Sequence, residues 1–178
     1  MKKIKIIGIF LVFVIVMAFG LRLAGYRAYR YIEGKHSMVP TIQPGDVCLC
    51  YFHGNYTAED IKPGMVVLFA HRDYPYFLTK RIIAVENDLI ETESEKTLVN
   101  GSPIDEPYAF FETPGAGSGD VNSVRVPENK LFVMGDNRSG SLDSRCSEFG
   151  LVDIDQIKGK PLIILWSRDK RRIGKRLN

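Results

Sequence analysis

The sequence predicts a mostly β fold, with a single antiparallel β-sheet domain behind an N-terminal transmembrane helix. Two observations support this prediction. Sixteen apolar residues run without a break from Ile6 to Leu21, and after Tyr31 no long stretch repeats apolar residues with the helical period of about 3.6. Short apolar runs bounded by turn residues occur there instead, as is typical of strands. The 178 residues, 45% of them hydrophobic, are enough for one domain with its own core.

The N-terminal apolar run predicts an uncleaved membrane anchor. It lies between Lys5 and Arg22, whose long side chains can reach the two membrane interfaces and extend the run to the roughly 20 residues of a span. A cleavable signal peptide is the alternative, with Ala18 and Gly20 as the small residues before the cut. The run is long for a signal peptide, however, and no polar segment precedes that cut. Three basic residues flank the run on each side, so charge leaves its orientation open.

The predicted strands follow turn signals along the chain. They are "DVCLCYF" and "MVVLFA", each after a Pro-Gly pair, then "YFLTKRIIAVE", the Asn-Gly hairpin "LVNGSPI", "KLFVMGD" and "KPLIILWS". The stretch 103–127 contains "ETPGAGSGD" and is predicted as a long surface loop. The predicted organisation is therefore an N-terminal tail, anchor and interfacial segment (1–30), a β domain (31–167) and a basic C-terminal tail (168–178).

The charge of the chain is concentrated in that tail. Residues 168–178 carry six basic residues and one acidic residue, which leaves 18 basic against 20 acidic residues in the rest. A nearly neutral body without a recognisable motif argues against nucleic acid as a partner. We expect the tail to be solvated or to contact anionic lipid headgroups. The three cysteines have no zinc-site spacing and are too few for a disulfide framework, so no metal site is predicted.

The stretch "HSMVPT" contains a candidate nucleophile, Ser37. Pro40 fixes its own φ and favours an extended conformation at Val39, so Ser37 lies on a loop or strand end beside Met38. Adjacent side chains of an extended chain point to opposite sides, so His36 cannot readily act as the base for Ser37. A distant histidine, His53 or His71, or a purely structural turn are the alternatives.

Lys80 is the candidate base. If "TKRIIAVE" is a strand, Lys80 shares one face with the apolar Ile82 and Ala84. Burial disfavours the charged form of a lysine and can lower its pKa by roughly 3 to 5 units, so that it can act as a general base. The alternative is an edge lysine that deters aggregation.

The polar stretch "MGDNRSGSLDSR" follows a predicted strand. The acids Asp136 and Asp143 could pair with Arg81, Arg138 or Arg145. The hydroxyls that could bond a neighbouring base belong to Ser139, Ser141 and Ser144. The alternative is a polar loop held by its own side-chain-to-backbone hydrogen bonds.

In this order, these stretches resemble the type I signal peptidases, membrane-anchored serine–lysine endopeptidases of protein secretion. The resemblance covers about Tyr31 to Trp166. It rests on "SMVPT" at 37–41, "PGMVVLF" at 63–69, "KRIIAV" at 80–85 and "GDNRSGSLDSR" at 135–145, with the softer "VNGSPIDEPY" and "IKGK".

The resemblance implies the signal-peptidase fold and a Ser/Lys dyad. Ser37 is then the nucleophile that forms an acyl-enzyme, Lys80 is the general base, and Ser141 orients Lys80. The residues implied to support the site walls are the pairs Arg81–Asp136 and Asp143–Arg145, with Gly135. No metal or organic cofactor is implied.

The oxyanion hole is where this sequence departs from one branch of the family. Some members have a serine two residues before the nucleophile as a second donor beside the nucleophile's own N–H, but this chain has Lys35 there. We expect a backbone N–H or water near Lys35 to replace it, because a lost donor costs about 3 kcal/mol. A few extra residues in "DSRCSEFG" are a second departure, which affects the local loop more than the chemistry.

The resemblance also implies location and partners. The N-terminus is then cytoplasmic, and the catalytic domain is extracytoplasmic with its active site against the bilayer. Met38, Val39 and Pro40, with nearby Phe69, are implied to face substrate or membrane. The substrate is the extended end of a preprotein signal peptide, docked as an added strand, with small residues at the first and third positions before the cut.

Two alternatives to a general signal peptidase remain at this point. One is a related peptidase dedicated to pilin or conjugation substrates. The other is a catalytically inactive, membrane-tethered β domain that binds peptides, against which the intact Ser37 and Lys80 argue.

Overall fold

The computed structural model of the protein describes residues 2–32, 36–93, 95–112 and 121–177. The chain begins with the helix α1, Lys2–Leu23. Within the described ranges, no helix meets both the length and the apolarity that a membrane span requires. The predicted transmembrane helix therefore stays a prediction.

The described residues after α1 form strands joined by turns and short 3₁₀ segments. The strands are β1 Tyr26–Arg30, β2 Val47–Phe52, β3 Val66–Phe69, β4 Leu78–Ala84, β5 Leu89–Glu93, β6 Lys96–Val99, β7 Ser102–Pro103, β8 Val121–Arg125, β9 Lys130–Met134, β10 Val152–Asp153 and β11 Ile157–Trp166. The 3₁₀ segments are Ala58–Asp60, Ile154–Gln156 and Lys170–Arg172. The mostly β prediction is confirmed.

The prediction of a single sheet is wrong, since the described strands form two antiparallel sheets. The larger has the order β1-β2-β11-β3-β4-β9-β10, and the smaller has the order β7-β6-β5-β8. The second sheet arises because the chain leaves β4 at Ala84 and builds its own hairpin through the Asn-Gly turn. Both turn residues, Asn100 and Gly101, have the positive φ that this hairpin turn requires, 54° and 76°.

The stretch predicted as a long loop, 103–127, contains strand β8. β8 pairs with β5, and the amide of Val121 donates to the Thr92 hydroxyl at 2.8 Å. Single valines separated by polar residues gave no continuous apolar run, so the strand was missed. Residues 113–120, in the middle of the stretch 103–127, lie outside the described part of the chain.

Among the residues that the structure describes, the core has three groups of buried side chains. One lies between the two sheets and contains Ile83, Ala84, Ile90, Val121, Val126, Phe132 and Met134. A second, around Phe69, Ile82 and Val133, packs on one face of the larger sheet, and a third includes Met38, Ile42, Cys48, Val66 and Leu68. The third group packs the turn after Ser37 against the sheet.

Both ends of the predicted β domain extend further than the sequence indicated. β1 pairs with β2 over its whole length, so residues 26–30 belong to the larger sheet. At the other end Leu177 is buried, and its amide donates to the Leu162 carbonyl of β11 at 3.0 Å. The stretch predicted as a basic tail is therefore packed onto the domain as far as residue 177.

Candidate active site

Ser37 and Lys80 line the same cavity, which has a volume of about 250 Å³. Its walls also include the aromatic residues Tyr29 and Tyr31. Burial, with a smaller effect from Cys50, raises the pKa of each phenol above its ordinary value of 10. The cavity therefore brings a hydroxyl and an amine together beside buried aromatic side chains.

The Lys80 side chain is only 4% exposed. Because Lys80 is buried, the alternative of a solvated edge lysine that deters aggregation is wrong. Its Nζ donates to the Ser141 Oγ at 2.6 Å. The lysine amine is thus held in place by a neutral hydroxyl inside the protein.

Ser37 begins the turn that leads to Ile42. Its carbonyl oxygen accepts a hydrogen bond from the Asn137 amide at 3.0 Å, and the Ile42 amide closes the turn onto the Met38 carbonyl at 2.8 Å. Asn137 lies three residues after the end of β9, so the same backbone stretch that leads to Ser141 also holds Ser37.

Gly135, at the end of β9, lies between Ser37 and Ser141. A β-carbon on Gly135 would overlap both the Ser141 hydroxyl and the Ser37 carbonyl oxygen. Only a residue without a side chain lets these two groups approach each other across the strand end. This contact places the loop of Ser37 against Ser141, the residue that accepts a hydrogen bond from the Lys80 amine.

Asp143 fixes the loop that carries Ser141. Its fully buried carboxylate accepts two side-chain hydrogen bonds from Arg145, both at 2.8 Å, and one from the Gly135 amide at 2.9 Å. Burial by itself would raise the pKa of Asp143, but the hydrogen bonds and charge of Arg145 outweigh it. With smaller effects of Lys80 and Ser141, the pKa falls below its ordinary 3.8.

Arg81 and Asp136 form the second buried ion pair. Arg81 donates to both carboxylate oxygens at 2.8 and 2.7 Å and to the Gly64 carbonyl at 2.6 Å. Its guanidinium lies 3.9 Å from the ring centre of Tyr108, in a cation–π contact. This pair ties β4, next to Lys80, to the residue that follows Gly135.

Arg138 has a partner that the sequence analysis missed. Its side chain is almost fully buried, donates to both carboxylate oxygens of Glu106 and reaches the Gly135 carbonyl at 3.1 Å. Glu106 comes from "IDEPY", the softer family stretch, which was the signal available in the sequence. The other two arginines pair with the predicted acids, Arg81 with Asp136 and Arg145 with Asp143.

The three candidate hydroxyls have different surroundings. Ser141 accepts from Lys80, whereas the Ser144 hydroxyl accepts from the Val133 amide at 3.1 Å and anchors the loop to β9. The buried Ser139 hydroxyl has no hydrogen-bond partner among the described residues. Only Ser141 of the three bonds the amine.

The prediction that Phe69 presents an apolar surface is wrong, whereas the prediction that Met38 faces substrate stays a prediction. Met38 is packed in the core while also lining the cavity, and Phe69 is fully buried because β3 is an interior strand. Val39 is half-buried and Pro40 is exposed. The cavity instead has exposed large apolar side chains in its lining, namely Ile32, Tyr76, Phe77 and Leu142, which we call the apolar rim.

The remaining predictions concern the histidines and the oxyanion hole. His36 is exposed and lines the cavity; His71 is buried and stacks on Phe149 at 4.7 Å between ring centres. His53 stacks with Tyr51 at 5.9 Å. Lys35, the position of the predicted second oxyanion donor, lies outside the described residues.

Comparison with known proteins identifies the family. The family model for "Signal peptidase, peptidase S26" matches residues 4–166, which include every candidate site residue. The chain belongs to the signal peptidase family. The family predicted from the sequence is therefore confirmed, and membership implies serine endopeptidase activity.

Its relatives in the family cover most of the chain. Signal peptidase I of Bacillus licheniformis is 32% identical over 162 residues, 88% of this chain and 85% of the relative. Signal peptidase I P of Bacillus subtilis subsp. natto is 30% identical over 150 residues, 81% and 79% of the two chains. Signal peptidase IB of Staphylococcus aureus (strain Mu50 / ATCC 700699) is 34% identical over 149 residues, 76% and 75% of the two chains.

Gly135→Ala should separate Ser37 from Ser141. We expect kcat/KM for peptide cleavage to fall by about 100-fold, since a displacement of about 1 Å can have this effect. Gly54→Ala is the matched control, because a β-carbon there meets nothing within 4 Å. Steady-state cleavage, with circular dichroism to verify the fold, measures both. A folded Gly135→Ala protein with full activity would contradict the close approach.

Asp143→Asn should lower stability in a pH-dependent way. A carboxylate with a lowered folded-state pKa stabilises fully above its unfolded pKa, about 3.9, and loses that contribution as the pH falls through the folded value. We expect Asp143→Asn to lower the free energy of unfolding by about 3 to 5 kcal/mol at pH 7, because Arg145 stays buried.

Urea unfolding between pH 7 and pH 2.5 measures this difference from the wild type. It should shrink below about pH 4. Asp155→Asn, at an exposed position, should show no such pH-dependent difference. A difference for Asp143→Asn that is the same at every pH would show that the carboxylate is not held ionised.

Proposed function

We propose that this chain is a signal peptidase I, an endopeptidase that removes N-terminal signal peptides from secreted preproteins with Ser37 as nucleophile and Lys80 as general base. The observation that carries the proposal is the buried Lys80 amine, bonded to the Ser141 hydroxyl in the cavity that Ser37 also lines. Relatives bearing the name signal peptidase I support the substrate class.

The chemistry follows from a neutral lysine. Lys80 takes the hydroxyl proton of Ser37 as the Ser37 oxygen attacks the scissile carbonyl, and the tetrahedral intermediate collapses to an acyl-enzyme. The leaving amine takes the proton from Lys80 as the C–N bond breaks. Lys80, neutral again, then removes a proton from the water that attacks the ester. It passes this proton to the Ser37 oxygen as the ester C–O bond breaks and the signal peptide acid is released. The proposed role of Ser141 is to orient Nζ for each transfer.

The buried ion pairs support the geometry of these steps. Arg81–Asp136 holds β4 beside Lys80, and Asp143–Arg145 holds the loop of Ser141. For the oxyanion we propose the Ser37 backbone N–H and a second donor close to Lys35.

An extended peptide fits the edge beside the dyad. On one side of β4, Leu78 and Thr79 pair with β3; on the other, pairing with β9 begins only at Arg81 among the described residues. A substrate strand can therefore approach β4 where the chain turns away at Gly135, next to Lys80. The proposed preference is for small residues at the first and third positions before the cut, because a shallow subsite excludes bulk more sharply than it selects among small side chains.

We further propose that α1 is an uncleaved anchor that holds this site at the bilayer, with the N-terminus cytoplasmic and the catalytic domain extracytoplasmic. Large apolar side chains along α1 are exposed, such as Phe10 and Phe13, and Lys5 and Arg22 bound its apolar run. The apolar rim gives the catalytic domain a second surface suited to lipid or to an apolar signal peptide. The proposed partners are thus preprotein signal peptides and the lipid bilayer.

The purified full chain in detergent should cut a preprotein between its signal peptide and mature part. Ser37→Ala and Lys80→Ala should each lower the cleavage rate on the order of 10⁴-fold or more, because nucleophile and base act as a unit. Ser123→Ala and Lys62→Ala, at exposed positions, are the matched controls and should cut at the wild-type rate.

Gel analysis with sequencing of the mature N-terminus measures the cut. Cleavage by a folded Lys80→Ala protein at the wild-type rate would contradict the dyad. A folded wild type that cuts none of several preproteins would instead favour a peptide-binding domain without activity, and one that cuts a single class would favour a dedicated peptidase.

A further inference from the structure

Arg172 reaches from the C-terminal segment to the loop that follows the nucleophile. Its guanidinium donates to the Pro40 carbonyl at 2.9 Å, to the Thr41 carbonyl at 2.9 Å and to the Asp46 carboxylate at 2.8 Å. The residue is 9% exposed, in the middle of a stretch that charge alone marks as a solvated tail. The adjacent Arg171, by contrast, has a side chain that is 90% exposed and pairs with Asp169 at the surface.

The position of Arg172 is fixed by the sheet. It ends the 3₁₀ segment Lys170–Arg172, and the chain on its far side runs back along β11. The Gly174 amide donates to the Ile164 carbonyl at 2.8 Å, and the Ile164 amide donates to the Lys175 carbonyl at 3.0 Å. Further along, buried Leu177 packs in the core group that also contains Met38. The guanidinium is therefore presented from a segment anchored on an interior strand.

Asp46 connects Arg172 to two further backbone groups near Ser37. The Asp46 carboxylate accepts from Arg172 and also from the Gln43 amide at 2.9 Å, and its backbone carbonyl accepts from the Tyr31 amide at 2.9 Å. Within residues 40–46, the Pro40 and Thr41 carbonyls therefore bond Arg172, and the Gln43 amide bonds the Asp46 side chain of the same loop.

The loop is held at both ends. At its start, the Ser37 carbonyl accepts from the Asn137 amide at 3.0 Å, and three residues later Arg172 holds the Pro40 and Thr41 carbonyls. A planar guanidinium fork can bond two carbonyls and a carboxylate at once, whereas a lysine amine is a point charge on a flexible stem. The Nε of Arg172 is buried without a hydrogen-bond partner among the described residues, which opposes burial of this side chain. An exposed conformation would avoid that penalty, so the three bonds to the loop must outweigh it.

We propose that Arg172 is a positioning residue for the nucleophile, which fixes the turn 37–42 so that Ser37 faces Lys80. It contacts neither Ser37 nor Lys80 by any described bond and acts through the Pro40 and Thr41 carbonyls and Asp46. The inference rests on the proposed function, in which Ser37 is the nucleophile.

The test measures acylation of Ser37 separately from the amount of folded enzyme. The substrate is an ester analogue of a signal-peptide end, with alanine at the first and third positions before the scissile bond. Acylation of an ester outruns deacylation, so the product appears in a burst. The burst amplitude counts competent active sites, and the burst rate reports how well each site is positioned.

We expect Arg172→Met to lower the burst rate per active site by about 100-fold while the burst amplitude stays near the wild-type value. The KM for a preprotein should change by less than about threefold, since Arg172 does not line the cavity. Arg172→Lys should stay closer to Arg172→Met than to the wild type. Asp46→Asn should have an intermediate effect, because both carbonyl bonds of Arg172 remain.

Arg171→Met is the matched control. Arg171 is the adjacent residue, its side chain is 90% exposed, and it pairs with Asp169 at the surface. We expect its burst rate and amplitude to equal those of the wild type. Should Arg172→Met fail to fold, Arg172→Lys and Asp46→Asn carry the same test with milder changes.

Two outcomes overturn different statements. If the wild type shows a burst and the Arg172 variants lose only amplitude at an unchanged burst rate, Arg172 contributes to folding alone and the inference is wrong. If the folded wild type neither cuts a preprotein nor shows a burst, the proposed function fails first, and the role of Arg172 in positioning a nucleophile fails with it.

Discussion

The hydrogen bond from the Lys80 amine to the Ser141 hydroxyl is the contact on which the rest of the site depends. A lysine removed from water loses the solvation that favours its charge, so a neutral hydroxyl as partner leaves the neutral amine accessible. The nearby carboxylate of Asp143 works in the opposite direction, since it attracts a protonated amine. Arg145 and the Gly135 amide donate hydrogen bonds to that carboxylate, so its charge is already paired within the protein.

Buried arginines hold the groups that surround this bond. Arg81, Arg138 and Arg145 each donate two side-chain bonds to one carboxylate, and all of them meet the chain at or near Gly135. Buried ion pairs add little net stability when the desolvation of both ions is included, but breaking one leaves an uncompensated charge. Their contribution here is to geometry: they leave few alternative positions for the strand end where Ser37, Ser141 and Lys80 meet. Arg172 extends the same arrangement to the far side of the turn 37–42.

The sequence predicted the strands whose apolar runs are continuous, and it missed structure that depends on contacts distant in sequence. β2, β3, β4, β9 and β11 were each indicated by a local pattern. β8 was not, because its two valines are separated by polar residues and the strand is recognisable only from its pairing with β5. The burial of Arg172 could not be predicted either, since a basic stretch is normally solvated and nothing local indicates an acceptor 126 residues away. At the site, the residue pairs came from the family resemblance, while the exclusion of a solvated edge role for Lys80 required its burial in the folded chain.

The most direct measurement of the central claim is the pH dependence of kcat/KM for cleavage by the full chain. If Lys80 acts as a neutral base, kcat/KM should rise with pH and level off above an apparent pKa near neutrality, far below the ordinary lysine value of about 10.4. A kcat/KM that keeps rising to about pH 10, with no group titrating near neutrality, would contradict the account.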